Sequence, residues 1–284
     1  MYESRYQHAW WVPEKGHKWA DMWRVDFGKA GPVHSGPHRY LMTAAPRGQA
    51  RIYKPLEEHS GLCMEFAQLV ESEDAIRAFA DRFGMLGVVD SVVASEKGGA
   101  LLEGETFARW VSEIRDMREA ADLLRAVQAG RHADLKRVIR WHSKGGQRWV
   151  SFENERRHAV IAAPDHHPAV FAMLRWGELV KPALATIQAA ANAKLKTHAS
   201  PAMMWDSDNV IGLYFRPENL LGALWLQFAL AVSQNSEFRE CEHCGKPFEA
   251  AAPGASRKDK RFCSTSCRVM ASRARRREKD HAQT

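Results

Sequence analysis

The apolar positions of residues 1–60 come in short runs, Trp10-Trp11-Val12 and then 22–27, broken by Pro13, Gly16, Gly28 and Gly31-Pro32. Short apolar runs bounded by turn residues predict short strands. Tryptophans at 10, 11, 19 and 23 are expected to form a small core there. The segment His34, Gly36, Pro37, His38 and Arg39 reads as a polar loop, and its histidines have no carboxylate at ligand spacing.

After residue 60 the period lengthens to that of a helix. Leu62, Phe66, Leu69 and Val70 share one face of 61–72, with Cys63 among them as a buried small hydrophobe. Ser72, Glu73 and Asp74 start a second helix, with Ile76, Phe79, Ala80 and Phe83 inward and Gly84 as its stop. Residues 85–104 read as irregular. A long helical pattern covers 105–128 through Phe107, Trp110, Val111, Ile114, Met117, Ala121, Leu124 and Val127. A shorter helix is expected over 133–142, a strand over 149–153 and a helix over 169–196. A strand over 209–215 and a helix over 216–233 complete the body. The last helix is apolar nearly all round, which predicts burial on every side. The expected fold is therefore mainly α with small β elements. Its parts are a strand-rich segment at 1–60, a helical body at 61–235 and a separate C-terminal module at 236–284.

Composition adds little for the body and much for the tail. Apolar residues make up 45% and charged residues 26% of 284, ordinary values for a globular chain. Between 239 and 284, however, twelve Lys or Arg face six acids, so nearly all of the protein's net charge of +7 sits in its tail. Charge this localised speaks to a partner rather than to the fold. No apolar run reaches the length of a membrane span, since the stretch 220–232 is interrupted by Gly222 and Gln227. The opening MYESRYQHAWWVP lacks a basic-then-apolar signal pattern. A cytoplasmic protein without membrane association is expected.

The tail also holds four of the five cysteines, as Cys241-x2-Cys244 and Cys263-x3-Cys267 with eighteen residues between the pairs. Two close-set thiol pairs joined by a medium loop have the spacing of a four-thiolate zinc site. Disulfides fit poorly with a cytoplasmic chain, a redox Cys-x-x-Cys would not need the second pair, and unligated core cysteines would not be paired so regularly. Gly245 suits the positive φ of a knuckle turn. Phe248 and Phe262 can cover the site, and Ser264 can cap a helix over 265–279 whose first turn carries Cys267. This outline, a knuckle followed by a helix bearing the last ligand, is that of a treble-clef finger. One structural Zn2+ per chain is expected on Cys241, Cys244, Cys263 and Cys267, with His243 facing solvent. On the helix, Arg268 and Arg275 share a face, Arg276 and Arg273 turn progressively away and Arg277 lies opposite. Val269 and Met270 are left to pack on the knuckle.

The tail resembles the C-terminal finger of bacterial CGNR-type zinc-finger proteins. The matching pieces are Cys241, Cys244, Phe248, Arg261-Phe262-Cys263-Ser264, Cys267 and the arginines at 273–277. The signature Cys-Gly-Asn-Arg is here Cys267-Arg268-Val269-Met270, and the second pair is one residue closer. That family implies a transcription regulator, often with a helical N-terminal domain known as ABATE. The residues 61–67 (GLCMEFA) and 83–87 (FGMLG) are similar in style to that domain.

A basic helix rooted in a zinc site points to nucleic acid. DNA is the expected partner, with Lys260, Arg261, Arg268, Arg273, Arg275, Arg276, Arg277 and Lys279 as contacts. RNA is the alternative polyanion, and an acidic protein surface would also suit the tail. Elsewhere no nucleophile, base and orienting group occur at informative spacing. Lys144-Gly145-Gly146-Gln147 lacks the order of a phosphate loop, and His166-His167 has no third ligand in reach. A binding protein is therefore expected rather than an enzyme, with a nucleic-acid-processing enzyme as the rival.

Overall fold

Most helix-period stretches form helices, although the first stops at Ala67 and leaves Leu69 and the exposed Val70 outside it, and the segments between them are strands far more often than their composition suggests. The computed structural model describes residues 10–28, 31–45, 48–88, 91–94, 101–205, 210–245, 247–251 and 260–281. In chain order the elements begin β1 (Trp10–Pro13), β2 (His17–Gly28), β3 (Gly31–Thr43), β4 (Ala50–Tyr53), α1 (Pro55–Glu58), α2 (Leu62–Ala67) and α3 (Glu73–Phe83). Then come β5 (Ser91–Ala94), β6 (Leu101–Thr106), α4 (Phe107–Gln128), α5 (His132–Val138), β7 (Ile139–Lys144), β8 (Gln147–Glu153) and β9 (His158–Ala162). The chain continues through α6 (Pro168–Ala172), α7 (Val180–His198), β10 (Ala199–Trp205), β11 (Ile211–Pro217) and α8 (Leu220–Ser233). It closes with β12 (Glu237–Glu240), β13 (Pro247–Ala251) and α9 (Thr265–His281).

About 42% of the protein is helix and 33% strand, which overturns the expectation of a mainly α fold: this is an α+β mixture with several antiparallel sheets. The largest error lies at 31–43, where the expected polar loop is β3, paired with β2 along most of its length. Residues 91–94 and 101–104 of the stretch expected to be irregular are strand, and so are the first two residues of the helix expected over 105–128: they form β5 and β6, which close a four-stranded barrel in the order β2-β3-β6-β5. The interior of that barrel is Met22, Tyr40, Met42 and Val93, not the tryptophans. Trp11 is 67% exposed, and Trp10, Trp19 and Trp23 are only half-buried. The short helix ends at Val138 and gives way to β7. The single helix expected over 169–196 is two, α6 and α7, with Gly177 at φ +81° in the break.

The fold divides into two units, residues 1–115 with 195–284, and residues 116–194. In the first, α3 starts where the Ser72 hydroxyl accepts the Ala75 N–H and stops at Gly84, φ +92°. Its Ile76, Phe79, Ala80 and Phe83 are all buried, and α3 packs on β1 and β2. Helix α8 is capped by Asn219, whose side chain accepts the Gly222 N–H at 2.8 Å, and it is buried on nearly every side. Gln227 on α8 is buried too, and both ends of its amide are satisfied. Its oxygen accepts the Cys63 N–H at 2.8 Å and its nitrogen donates to the His59 carbonyl at 2.7 Å, which ties α8 to the start of α2. Cys63 is fully buried, and burial pushes its thiol up.

Glu105 on β6 is 1% exposed, and its carboxylate accepts the N–H groups of Leu86, Gly87 and Val88 at 3.1, 2.6 and 3.0 Å. Burial raises it to about 7 against those donors. The second unit is built on the antiparallel sheet β7-β8-β9, with Ile139, Val150, Phe152 and Ala162 buried and α5 packed on β7 and β8. No helix among the described residues is long and apolar enough to cross a membrane.

Candidate metal centre

The finger grows from a short hairpin. Strands β12 and β13 pair antiparallel, and the turn between them carries Cys241 and Cys244. The turn closes with the Gly245 N–H donating to the Cys241 carbonyl at 2.8 Å, and Gly245 takes φ +70°, a conformation a side chain would disfavour. The second pair comes from the other side of the module. There the Ser264 hydroxyl accepts the Cys267 N–H at 3.2 Å, which caps α9 and puts Cys267 in its first turn. The Glu242 N–H donates to the Arg261 carbonyl at 3.1 Å and stitches the two halves together.

The four sulfurs converge. All four ligand atoms lie within 4.8 Å of one another, with Cys244 to Cys263 at 3.6 Å and Cys263 to Cys267 at 3.5 Å. Four thiolates about 2.3 Å from one tetrahedral ion stand about 3.8 Å apart, whereas a disulfide needs about 2.05 Å. The spacing thus fits a shared ion and excludes a bond between sulfurs. Burial raises the Cys241 thiol, but the backbone N–H groups of Cys263, Cys244 and His243 outweigh it and bring it down to about 6. Burial and the thiols of Cys267, Cys241 and Cys244 push Cys263 up to about 12. Four sulfurs this close cannot all shed their protons without a positive ion between them, and four thiolates would fill the coordination of a tetrahedral metal. A small core backs the site: Phe248, 1% exposed, packs with Cys241 and Ala250, and Phe262, Cys263 and Cys267 lie against it.

The expected basic contacts divide into three sets. Lys260 lies over the Phe248 ring, 5.2 Å from its centroid, and the Arg261 guanidinium pairs with Glu242, so each has a partner within the finger while remaining exposed. Arg268, Arg273 and Arg275 are exposed on α9, the last also donating to the Ala271 carbonyl at 3.4 Å. Arg276, Arg277 and Lys279 fall in the backbone span of α9, but their side chains lie outside the described residues. His243 is exposed, as expected. Val269 and Met270 do not pack on the knuckle: they are 41% and 48% exposed. Beyond Cys267, only Ala271 among the described side chains of α9 is partly covered.

A second convergence has no counterpart among the residues that sequence spacing singles out. His142, Glu153 and His158 also bring three ligand atoms within 4.8 Å of one another. The signal that could have found them was Gly145-Gly146, a two-residue hairpin turn that sets the register of the strands around it. Comparison with known proteins leaves the reading to the residues themselves: no family model, no curated protein and no solved structure matches this chain.

Proposed function

We propose that the chain is a zinc-finger protein that binds DNA through α9 and acts as a transcription regulator. The observation that carries the reading is the joint between metal site and helix. Cys267 is at once a member of the four-sulfur cluster and part of the first turn of α9, so an ion on the sulfurs anchors the helix at its root. Zinc is the ion of choice, because four thiolates in tetrahedral array suit it and leave no open position for water. Its role would be structural. The anchored helix holds Arg268, Arg273 and Arg275 in solvent, where they would meet phosphates, with Arg276, Arg277 and Lys279 further along it. The likeness of the finger to CGNR-type regulators points the same way.

Duplex DNA, RNA of the same length and no nucleic acid, tested at two salt concentrations with Arg268→Ala, Arg273→Ala and Arg275→Ala variants, separate the outcomes. Removing one phosphate-binding arginine should flatten the slope of log K against log salt by about one unit. An unchanged slope in every variant refutes α9 as the binding element. RNA bound more tightly than DNA redirects the reading to RNA. A second reading, in which α9 docks on an acidic protein, is favoured by one feature: Val269 and Met270 are exposed beside the arginines and would gain from burial in an interface.

A further inference from the structure

The second unit contains a cluster that the finger does not use. Strands β7 and β8 are joined through Gly145 and Gly146, at φ +58° and +82°. The turn sets a register in which His142 faces Trp149 and Arg140 faces Ser151, while Glu153 on β8 faces His158 on β9. Alternation then puts His142, Ser151, Glu153 and His158 on one face of the sheet, with Val150 and Phe152 buried on the other. On that face both imidazoles aim the same atom at the same target. His142 Nε2 is 2.8 Å and His158 Nε2 3.1 Å from Glu153 Oε1. The His142 ring lies flat on Trp149, centroids 4.8 Å apart and planes 11° from parallel, which fixes its orientation.

We propose that His142, Glu153 and His158 form a second metal-binding site, selective for a divalent late transition ion such as Zn2+, Co2+ or Ni2+. Ligands about 2.1 Å from one such ion stand about 3.0–3.4 Å apart, close to the observed separations. Two imidazoles and one carboxylate suit these ions, whereas Mg2+ and Ca2+ prefer oxygen alone. A serine–histidine–acid relay is the competing use of the same residues, since Ser151 Oγ lies 2.7 Å from His142 Nε2. Such a relay needs the acid on the ring nitrogen opposite the serine. Here Ser151 and Glu153 both approach Nε2, so the arrangement lacks a relay and has the convergence of a chelate.

Three protein ligands leave at least one coordination position for water or a small ligand, unlike the sulfur cluster. Trp149 also lines an open cleft of about 450 Å³ with Arg148, Val160, Asp165, His166 and Phe171, so a molecule in that cleft lies beside the site.

The full chain is first given one equivalent of Zn2+, which the thiolates take up by softness, and Co2+ is then titrated by calorimetry with visible absorption. One further Co2+ per chain is expected, with the weak bands of nitrogen and oxygen ligation and no thiolate-to-cobalt charge transfer. His142→Ala and Glu153→Gln should each weaken it at least about tenfold. His158→Ala should do the same, and its 60% exposed side chain can be removed without disturbing the fold, as circular dichroism will verify. No further Co2+, a thiolate charge-transfer band, or equal affinity in all three variants overturns the site and leaves a hydrogen-bonded network.

Discussion

Gly61 sits where the finger meets the body, and replacing it with alanine tests that junction. Gly61 caps α2 at φ −129°, a conformation any residue adopts, so the obstacle to a side chain is space alone. A Cβ there would lie 2.3 Å from the Pro247 carbonyl oxygen, 2.8 Å from its carbon and 2.9 Å from Phe248 Cα. All three are backbone atoms of β13, so no rotamer change relieves the clash. Ordinary contact needs about 3.5 Å, and β13 must therefore retreat by about 1 Å. Overpacking of this kind costs about 1–3 kcal/mol, and the stiffer unfolded chain of an alanine variant returns about 0.5 kcal/mol. The difference spans about 0.5–2.5 kcal/mol, and a net loss near its middle, about 1–2 kcal/mol, is expected.

The loss should also reach the metal, because Phe248 on β13 packs directly on Cys241. Chemical denaturation of the zinc-loaded chain and the rate of zinc transfer to a chelator read the two effects. Zinc release should quicken about 5–30-fold if the whole strain is felt at the site. Gly212→Ala is the control: the three atoms nearest its Cβ, at 2.6, 2.7 and 2.8 Å, all belong to the outer end of the Tyr214 side chain, which can swing aside, so the change should be near neutral. If Gly61→Ala matches the parent in stability and zinc release, the finger is not seated on α2.

Further expectations follow from single groups. Cys267→Ser should abolish stoichiometric zinc by elemental analysis and melt the start of α9, because one sulfur and the helix root are lost together. Gln227→Leu leaves the Cys63 N–H and the His59 carbonyl without their partner and should destabilise the protein by about 2–4 kcal/mol in urea. For Glu105, the folded protein holds a proton up to about 7 and the unfolded chain only to about 4.5, so the native state binds more protons in that window. Its contribution therefore falls as pH rises from about 4.5 to about 7, by about 3 kcal/mol in all. His17, which burial lowers despite Asp81, acts in the opposite sense as pH falls. The informative quantity is thus the difference between parent and Glu105→Gln across the window, and a flat difference contradicts the assignment.

The sequence was legible where local chemistry and burial agree. Ser72, the inward faces of Ile76, Phe79, Ala80 and Phe83, and the stop at Gly84 define α3 without help from the rest of the chain. The cysteine pairs were equally plain, because thiols that must share one ion have few workable spacings. The barrel was hidden because β3 carries His34, Gly36, Pro37 and His38, residues typical of loops, and owes its strand form to pairing with β2 and β6. Periodicity along one segment does not report a partner strand. The same limit hid His142, Glu153 and His158, which sit together only once β7, β8 and β9 are in register. Val269 and Met270 misled in the other direction: apolar residues near a small core were expected to join it, yet α9 turns them to solvent.

On the proposed reading, a metal ion on Cys241, Cys244, Cys263 and Cys267 gives α9 a fixed root from which to engage DNA. The dissociation constant of the full chain for duplex DNA, measured zinc-loaded, after chelation and after zinc is restored, bears on it most directly. Affinity should fall at least about tenfold on chelation, a loss of about 1.4 kcal/mol, and return with zinc. Equal affinity in all three states would mean that the arginines bind as an unanchored polycation, and the role assigned to the sulfur cluster would be wrong.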